Sequence, residues 1–144
     1  MTEDIQGLRA IVVEDDPLIC LLLEDMLADL GCKVVGTACD FKRATELAQC
    51  VESVDIAILD VNLGGQLVFP VADILSRRGI ALLFATGMGA GGLPADWQAH
   101  RSISKPMTMA SLADALGCAV RDQRQSSITA DRTRRSGAPP VSAA

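Results

Sequence analysis

Five short apolar runs alternate with segments of helical spacing, and this alternation constrains the fold more than any other feature of the chain. The runs cover residues 8–13, 33–38, 54–59, 80–86 and 101–104, and β-branched or large apolar side chains dominate them. Between the first two, residues 17–30 place Leu18, Leu22, Met26 and Leu30 on nearly one face of a helix. Pro17 suits a first helical turn there and Gly31 a stop. Residues 41–51 align Ala44, Leu47, Ala48 and Val51 behind Asp40 as a cap. A third helix is expected from Pro70 to Gly79, with Val71, Ile74 and Leu75 together. A short one is expected at 94–99, and a last one at 110–120 aligns Leu112, Ala113, Leu116 and Val120. Near-continuous apolar strands separated by helices imply a parallel sheet covered on both faces. Right-handed crossovers make that an α/β doubly wound domain. The chain's 144 residues suffice for one such domain, which can bury roughly two-thirds of its unfolded surface without a disulfide or metal staple.

Composition narrows the class. Hydrophobic residues at 49% exclude a disordered chain, and a net charge of −5 argues against a strongly basic nucleic-acid binder. No apolar run approaches the ~18 residues of a membrane span. Glu3 and Asp4 stand where a secretory signal would be basic, so a cytoplasmic protein is expected. The cysteines (Cys20, Cys32, Cys39, Cys50 and Cys118) are odd in number and form no C-x-x-C, and the sole His100 is distant from them in sequence. They are expected to be small apolar side chains buried in a reducing cell, not zinc ligands or a disulfide framework. Of 13 basic and 18 acidic residues, five Arg and two Asp lie from Arg121 onward, so the first 120 residues carry a charge of −8. From Gln123 the chain is rich in Ser, Arg, Ala and Pro, and cannot bury enough surface to offset its ordering entropy. The expected organisation is a domain over 7–121 and a mobile basic tail over 122–144.

In a doubly wound sheet, functional groups collect at the carboxyl ends of the strands. Glu14, Asp15 and Asp16 follow the first run, and Asp60 follows the third, with Asn62 two residues on. Thr86 ends the fourth, while Lys105 and Pro106 follow the fifth. Any one of these has an ordinary structural reading, as a solvated acidic loop or a helix cap. Their joint placement on one sheet edge points to a site. Clustered carboxylates repel and demand a cation, and hard oxygen ligands of this kind suit Mg²⁺. Such an ion would keep Asp60 ionised and draw a phosphoryl group towards it. Thr86 would then donate to one phosphoryl oxygen and Lys105 would neutralise another, which amounts to in-line phosphoryl transfer by positioning and charge.

Val12-Val13-Glu14-Asp15-Asp16-Pro17, Leu59-Asp60-Val61-Asn62-Leu63, Ala85-Thr86-Gly87 and Ser104-Lys105-Pro106 resemble, in order, the motifs of the receiver domain of two-component response regulators. The resemblance spans roughly residues 7–121. It implies a five-stranded flavodoxin-like fold of order 2-1-3-4-5, with Asp60 accepting phosphate from a histidine kinase or phosphotransfer protein. It implies Mg²⁺ held by Glu14, Asp15, Asp60 and the Asn62 carbonyl, with Thr86 and Lys105 on the phosphoryl group. Asp16 matches a position that is often acidic without being a direct ligand. Phe84-Ala85-Thr86-Gly87-Met88-Gly89 further resembles single-domain receivers carrying Phe-Ala-Thr-Gly-hydrophobic-Tyr, with Gly89 in place of the Tyr. That narrower likeness implies kinases of the HWE or HisKA2 type. Output is expected through a downstream protein partner or as a phosphate sink or shuttle, with no nucleic acid or membrane and no turnover of a separate substrate.

The pattern departs from many receivers at two places. Ser102 stands three positions before Lys105, where an aromatic is common, and the chain has no Tyr. Leu63-Gly64 replaces a common Met-Pro, and Gly64-Gly65 give the expectation of an unusually mobile loop. Three rival readings stand beside the receiver. Residues 87–92 satisfy G-x-G-x-x-G, but after the fourth strand instead of in the first β-α unit. An aspartyl-phosphate phosphatase usually needs a second acid two residues after its nucleophile, where Asn62 stands. A binding module that keeps the fold and works without phosphorylation is the third alternative.

Overall fold

The computed structural model describes residues 5–87 and 93–143, with side chains described as far as residue 126. The elements follow in the order β1 (Arg9–Val13), α1 (Pro17–Asp29), β2 (Lys33–Ala38), α2 (Phe41–Cys50), β3 (Ile56–Asp60), β4 (Asn62–Leu63), β5 (Gln66–Leu67), α3 (Phe69–Arg77), β6 (Ala81–Thr86), β7 (Arg101–Ser104) and α4 (Met109–Ala143). Five strands form one parallel sheet in the order β2-β1-β3-β6-β7, which is the flavodoxin-like order, since β6 and β7 are its fourth and fifth strands. β4 and β5 are a separate antiparallel hairpin.

Strand alternation builds two cores. Ala10 and Val12, Ile56 and Ile58, and Ala81, Leu83 and Ala85 face α1 and α4, packing with Leu23, Leu27, Leu112 and Leu116. Their neighbours Ile11, Val13, Ala57, Leu59, Leu82 and Phe84 face α2 and α3, packing with Ala44, Ala48, Val71 and Leu75. At the β2 edge the register slips between Ala10 and Ile11, a bulge that brings Gly36 against Leu47. A Cβ on Gly36 would lie 2.9 Å from Leu47 Cδ1, so a glycine fits there best.

Capping is largely local. Asp16 Oδ1 accepts from Leu18 N at 2.9 Å at the start of α1, and Asp40 Oδ1 accepts from Arg43 N at 2.8 Å at the start of α2. Thr108 and Ser111 exchange side-chain-to-backbone bonds of 2.9 and 3.0 Å at the start of α4. Arg78, just past α3, donates to the carbonyls of Ala48 and Val51 and ties the ends of α2 and α3 together.

Four expectations are corrected. Of the cysteines expected to be buried, Cys20 and Cys32 are, whereas Cys39 and Cys50 are exposed and Cys118 is half-buried. The face of α1 that packs is Cys20, Leu23, Met26 and Leu27, while Leu18 is 77% and Leu22 56% exposed. The helix is apolar nearly all round, so steps of four select several faces equally well, and the sheet decides. Residues 94–99 hold only a single 3₁₀ turn, Ala95–Trp97. α4 runs past Val120, where helical spacing in the sequence ends, and continues to Ala143. The expected mobile tail of 122–144 falls mostly on residues whose side chains lie outside the described ones. Among the described residues, no helix is long and apolar enough to cross a membrane.

The orientation of α1 is testable by truncation. Leu23→Ala should cost about 2–5 kcal/mol in denaturant unfolding, and Leu22→Ala under about 1 kcal/mol. Equal costs would contradict this orientation of the helix.

Candidate functional site: an acidic pocket at the strand ends

Parallel pairing brings the carboxyl ends of β1, β3 and β6 to one edge. Val13 lies beside Leu59, and Asp60 beside Ala85, one residue short of Thr86. β1 therefore delivers Glu14 and Asp15 next to Asp60. One carboxylate oxygen from each of Glu14, Asp15 and Asp60 lies within 4.8 Å of the others. Glu14 is 1% and Asp60 7% exposed, whereas Asp15 is open to solvent. Glu14 is held from behind by its own N–H, which donates to Ala38 O at 3.0 Å.

A single ammonium reaches into this cluster. Lys105 Nζ lies 3.1 Å from Glu14 Oε2 and 3.2 Å from Asp60 Oδ1. It follows β7 directly, its amide donates to Thr86 O at 3.0 Å, and the Lys105–Pro106 peptide is cis. Thr86, 8% exposed, closes β6 opposite Ser104. Asn62 N donates to Asp60 Oδ1 at 3.3 Å, and the Asn62 side chain accepts from Gly65 N at 2.7 Å. Glu14, Asp15, Asp60, Asn62, Thr86 and Lys105 thus share one end of the sheet. The Asp16 side chain caps α1 instead of joining the acidic cluster, while its N–H donates to Glu14 Oε1 at 3.4 Å.

Three carboxylates against one ammonium leave a deficit of positive charge. Burial, the charge of Glu14 and a hydrogen bond with Asp15 push the Asp60 carboxyl up from 3.8 to about 7, against the pull of Lys105. For Lys105, loss of water works downward, but its contacts with Glu14 and Asp60 outweigh that and raise its pKa. For Asp15, burial works upward and is outweighed by the hydrogen bonds with Asp60 and the Gly64 amide and by the Lys105 charge, so its pKa falls. The donor set is oxygen only and over-charged, which fits a small divalent cation such as Mg²⁺.

Two features go beyond the sequence reading. The segment after Asp60, expected to be a mobile loop, forms the β4–β5 hairpin. Gly64 and Gly65 turn it with φ of +59° and +97°, Val68 N closes it on Val61 O at 2.9 Å, and Gly64 N donates to Asp15 Oδ2 at 2.9 Å. The signal was present: a Gly-Gly pair between short paired runs is a hairpin turn. The second feature is an aromatic group behind Thr86. Phe84 lies 5.6 Å from Phe69 and 5.7 Å from Trp97, and His100 packs 5.2 Å from Trp97. Ser102 is the register partner of Phe84, whose ring meets Trp97 and His100 edge-on. Residues 88–92, which hold most of the glycine-rich segment, lie outside the described residues.

A doubly wound sheet with an acidic, lysine-bridged pocket at its carboxyl edge is the architecture of response regulator receiver domains. The family model for the response regulator receiver domain matches residues 10–117, and the chain belongs to that family. The chain is 30% identical over 121 residues to the transcriptional regulatory protein PdtaR of Mycobacterium tuberculosis, aligning over 81% of its own length and 58% of PdtaR's. Among solved structures it is similar to SdrG from Sphingomonas melonis Fr1, with 38% identity, a TM-score of 0.68, and coverage of 76% of this chain and 93% of SdrG. The receiver domain of PhyR from Erythrobacter litoralis shares the fold at 24% identity and a TM-score of 0.69, covering 80% of this chain and 91% of that one.

The raised Asp60 pKa fixes how stability depends on pH when divalent ions are chelated. The unfolded carboxyl loses its proton near 3.8 and the folded one near 7, so the folded state holds the extra proton between them. The associated stability is present below that window and lost as pH rises through it, on the order of 4 kcal/mol at most. Asp15 acts only below its usual value and Lys105 only above its own. Burial lowers His100 against the opposing charge of Asp122, so His100 works in the opposite direction just below 6.5. In EDTA the thermal midpoint should therefore fall between about pH 5 and 7.5. Asp60→Asn should remove most of the fall, and a flat or rising wild-type midpoint would contradict the assignment.

Proposed function

We propose that this chain is a phosphoacceptor receiver in a two-component phosphorelay, with Asp60 as the residue that takes the phosphoryl group. A carboxylate oxygen of Asp60 attacks the phosphorus of a donor phosphohistidine. The P–N bond breaks, and the departing imidazole nitrogen keeps the electron pair and takes up a proton. Glu14, Asp15, Asp60 and the Asn62 carbonyl would hold Mg²⁺, which supplies charge neutralisation and orientation of the phosphoryl oxygens. Lys105 moves from bridging two carboxylates to neutralising a phosphoryl oxygen, and Thr86 donates to another. The observation that carries this reading is the convergence of Glu14, Asp15 and Asp60 within 4.8 Å beside one ammonium.

The donor is a histidine kinase or phosphotransfer protein, of the HWE or HisKA2 type by the Phe84-Ala85-Thr86-Gly87 motif. A groove of about 260 Å³ beside the pocket, lined by Ile19, Leu22, Met26, Lys105 and Met107, supports apolar docking of a donor next to the phosphoacceptor. Output then passes by protein contact or through use of the chain as a phosphate sink or shuttle. The segment 122–144 is read as a basic appendage to the acidic domain.

Phosphotransfer from radiolabelled HWE and HisKA2 kinases tests this. Wild type should accept label in Mg²⁺ and not in EDTA, and Asp60→Asn should lose at least about 100-fold in initial rate. Label retained by Asp60→Asn, or refusal of both kinase phosphate and acetyl phosphate by wild type, would overturn the reading.

A further inference from the structure

The β4–β5 hairpin touches two of the three clustered carboxylates through backbone amides. Asn62 N donates to Asp60 Oδ1 at 3.3 Å, and Gly64 N donates to Asp15 Oδ2 at 2.9 Å across 49 residues of sequence. Asp15 is the exposed member of the cluster, so nothing buries it into place as burial does Glu14 and Asp60. A free aspartate at such a position samples its rotamers, and ordering it costs entropy when a ligand binds. The Gly64 bond holds the carboxylate by Oδ2 while one of its oxygens lies within 4.8 Å of the Glu14 and Asp60 oxygens.

The hairpin is itself anchored. Leu63 is 3% exposed and Val68 fully buried, and Val68 N closes the base on Val61 O at 2.9 Å. Asn62 Oδ1 accepts from Gly65 N at 2.7 Å and braces the turn. The turn needs the left-handed φ of Gly64 to aim that N–H at Asp15. A proline there would have neither the N–H nor the backbone angle.

We propose that Gly64 is a positioning residue for the divalent-ion site, its N–H holding the Asp15 carboxylate in place beside Glu14 and Asp60. The inference rests on the reading of these residues as a Mg²⁺ site. Partners of this kind, one bond behind a metal ligand, set affinity by roughly 10–100-fold.

Calorimetric Mg²⁺ titration of the full chain tests it. Gly64→Asn keeps the N–H and tolerates the left-handed angle, and should stay within about 3-fold of wild type. Gly64→Pro should bind at least about 10-fold more weakly. Gly64→Pro binding like wild type would overturn the inference alone, and wild type failing to bind Mg²⁺ would overturn the metal reading with it. Amide exchange on the wild type decides the matter even if Gly64→Pro does not fold. The Gly64 N–H should stay protected with and without Mg²⁺, and free exchange in the Mg²⁺-loaded protein would contradict the proposed hold on Asp15.

Discussion

Lys105 bridging Glu14 and Asp60 is the contact on which the site depends, because it is what allows two carboxylates to be buried side by side. At a separation of ~4 Å and an effective dielectric near 20, a like-charge pair costs about 4 kcal/mol. One ammonium offsets part of this for Glu14 and Asp60 and leaves Asp15 to solvent and to the hairpin amide. The remaining imbalance appears as a proton held by Asp60 towards neutrality. A carboxyl that keeps its proton is a poor nucleophile, so in the proposed reading the cation both fills the charge deficit and frees the attacking oxygen.

The architecture supplies this contact at low cost. The strands that carry Asp60 and Thr86 are buried on both faces, so their carboxyl ends are fixed by packing. Lys105 comes from the edge strand and is set by its amide bond to Thr86 O, which ties the ammonium to the strand end it serves. Phe84, two residues before Thr86, packs on Phe69 at the start of α3 and on Trp97 beyond the strand. This aromatic group forms without an aromatic at position 102.

Much of this was legible in the sequence for a simple reason. Parallel strands buried on both faces read as unbroken apolar runs, and a doubly wound sheet gathers the residues at the carboxyl end of every run on one edge. The five strands and the clustering of Glu14, Asp15, Asp60, Thr86 and Lys105 are consequences of that rule. The buried face of α1 was not legible, since Leu21-Leu22-Leu23 makes the helix apolar around most of its circumference and only the sheet selects Leu23 over Leu22. The β4–β5 hairpin was hidden because two-residue strands carry almost no periodic signal, although Gly64-Gly65 marked the turn. The Asp15–Gly64 and Lys105–Glu14 bonds join residues 49 and 91 positions apart and depend on side-chain rotamers that no spacing encodes.

The most direct measurement is the ionisation of the Asp60 side chain itself, monitored by carboxyl ¹³C resonance with Mg²⁺ withheld and then supplied. Without the ion, Asp60 should titrate close to neutrality, and saturating Mg²⁺ should lower that midpoint by more than about one pH unit, since a divalent charge beside a carboxylate favours its ionised form. An Asp60 that titrates near 4 in both conditions, or whose midpoint ignores Mg²⁺, would contradict the account.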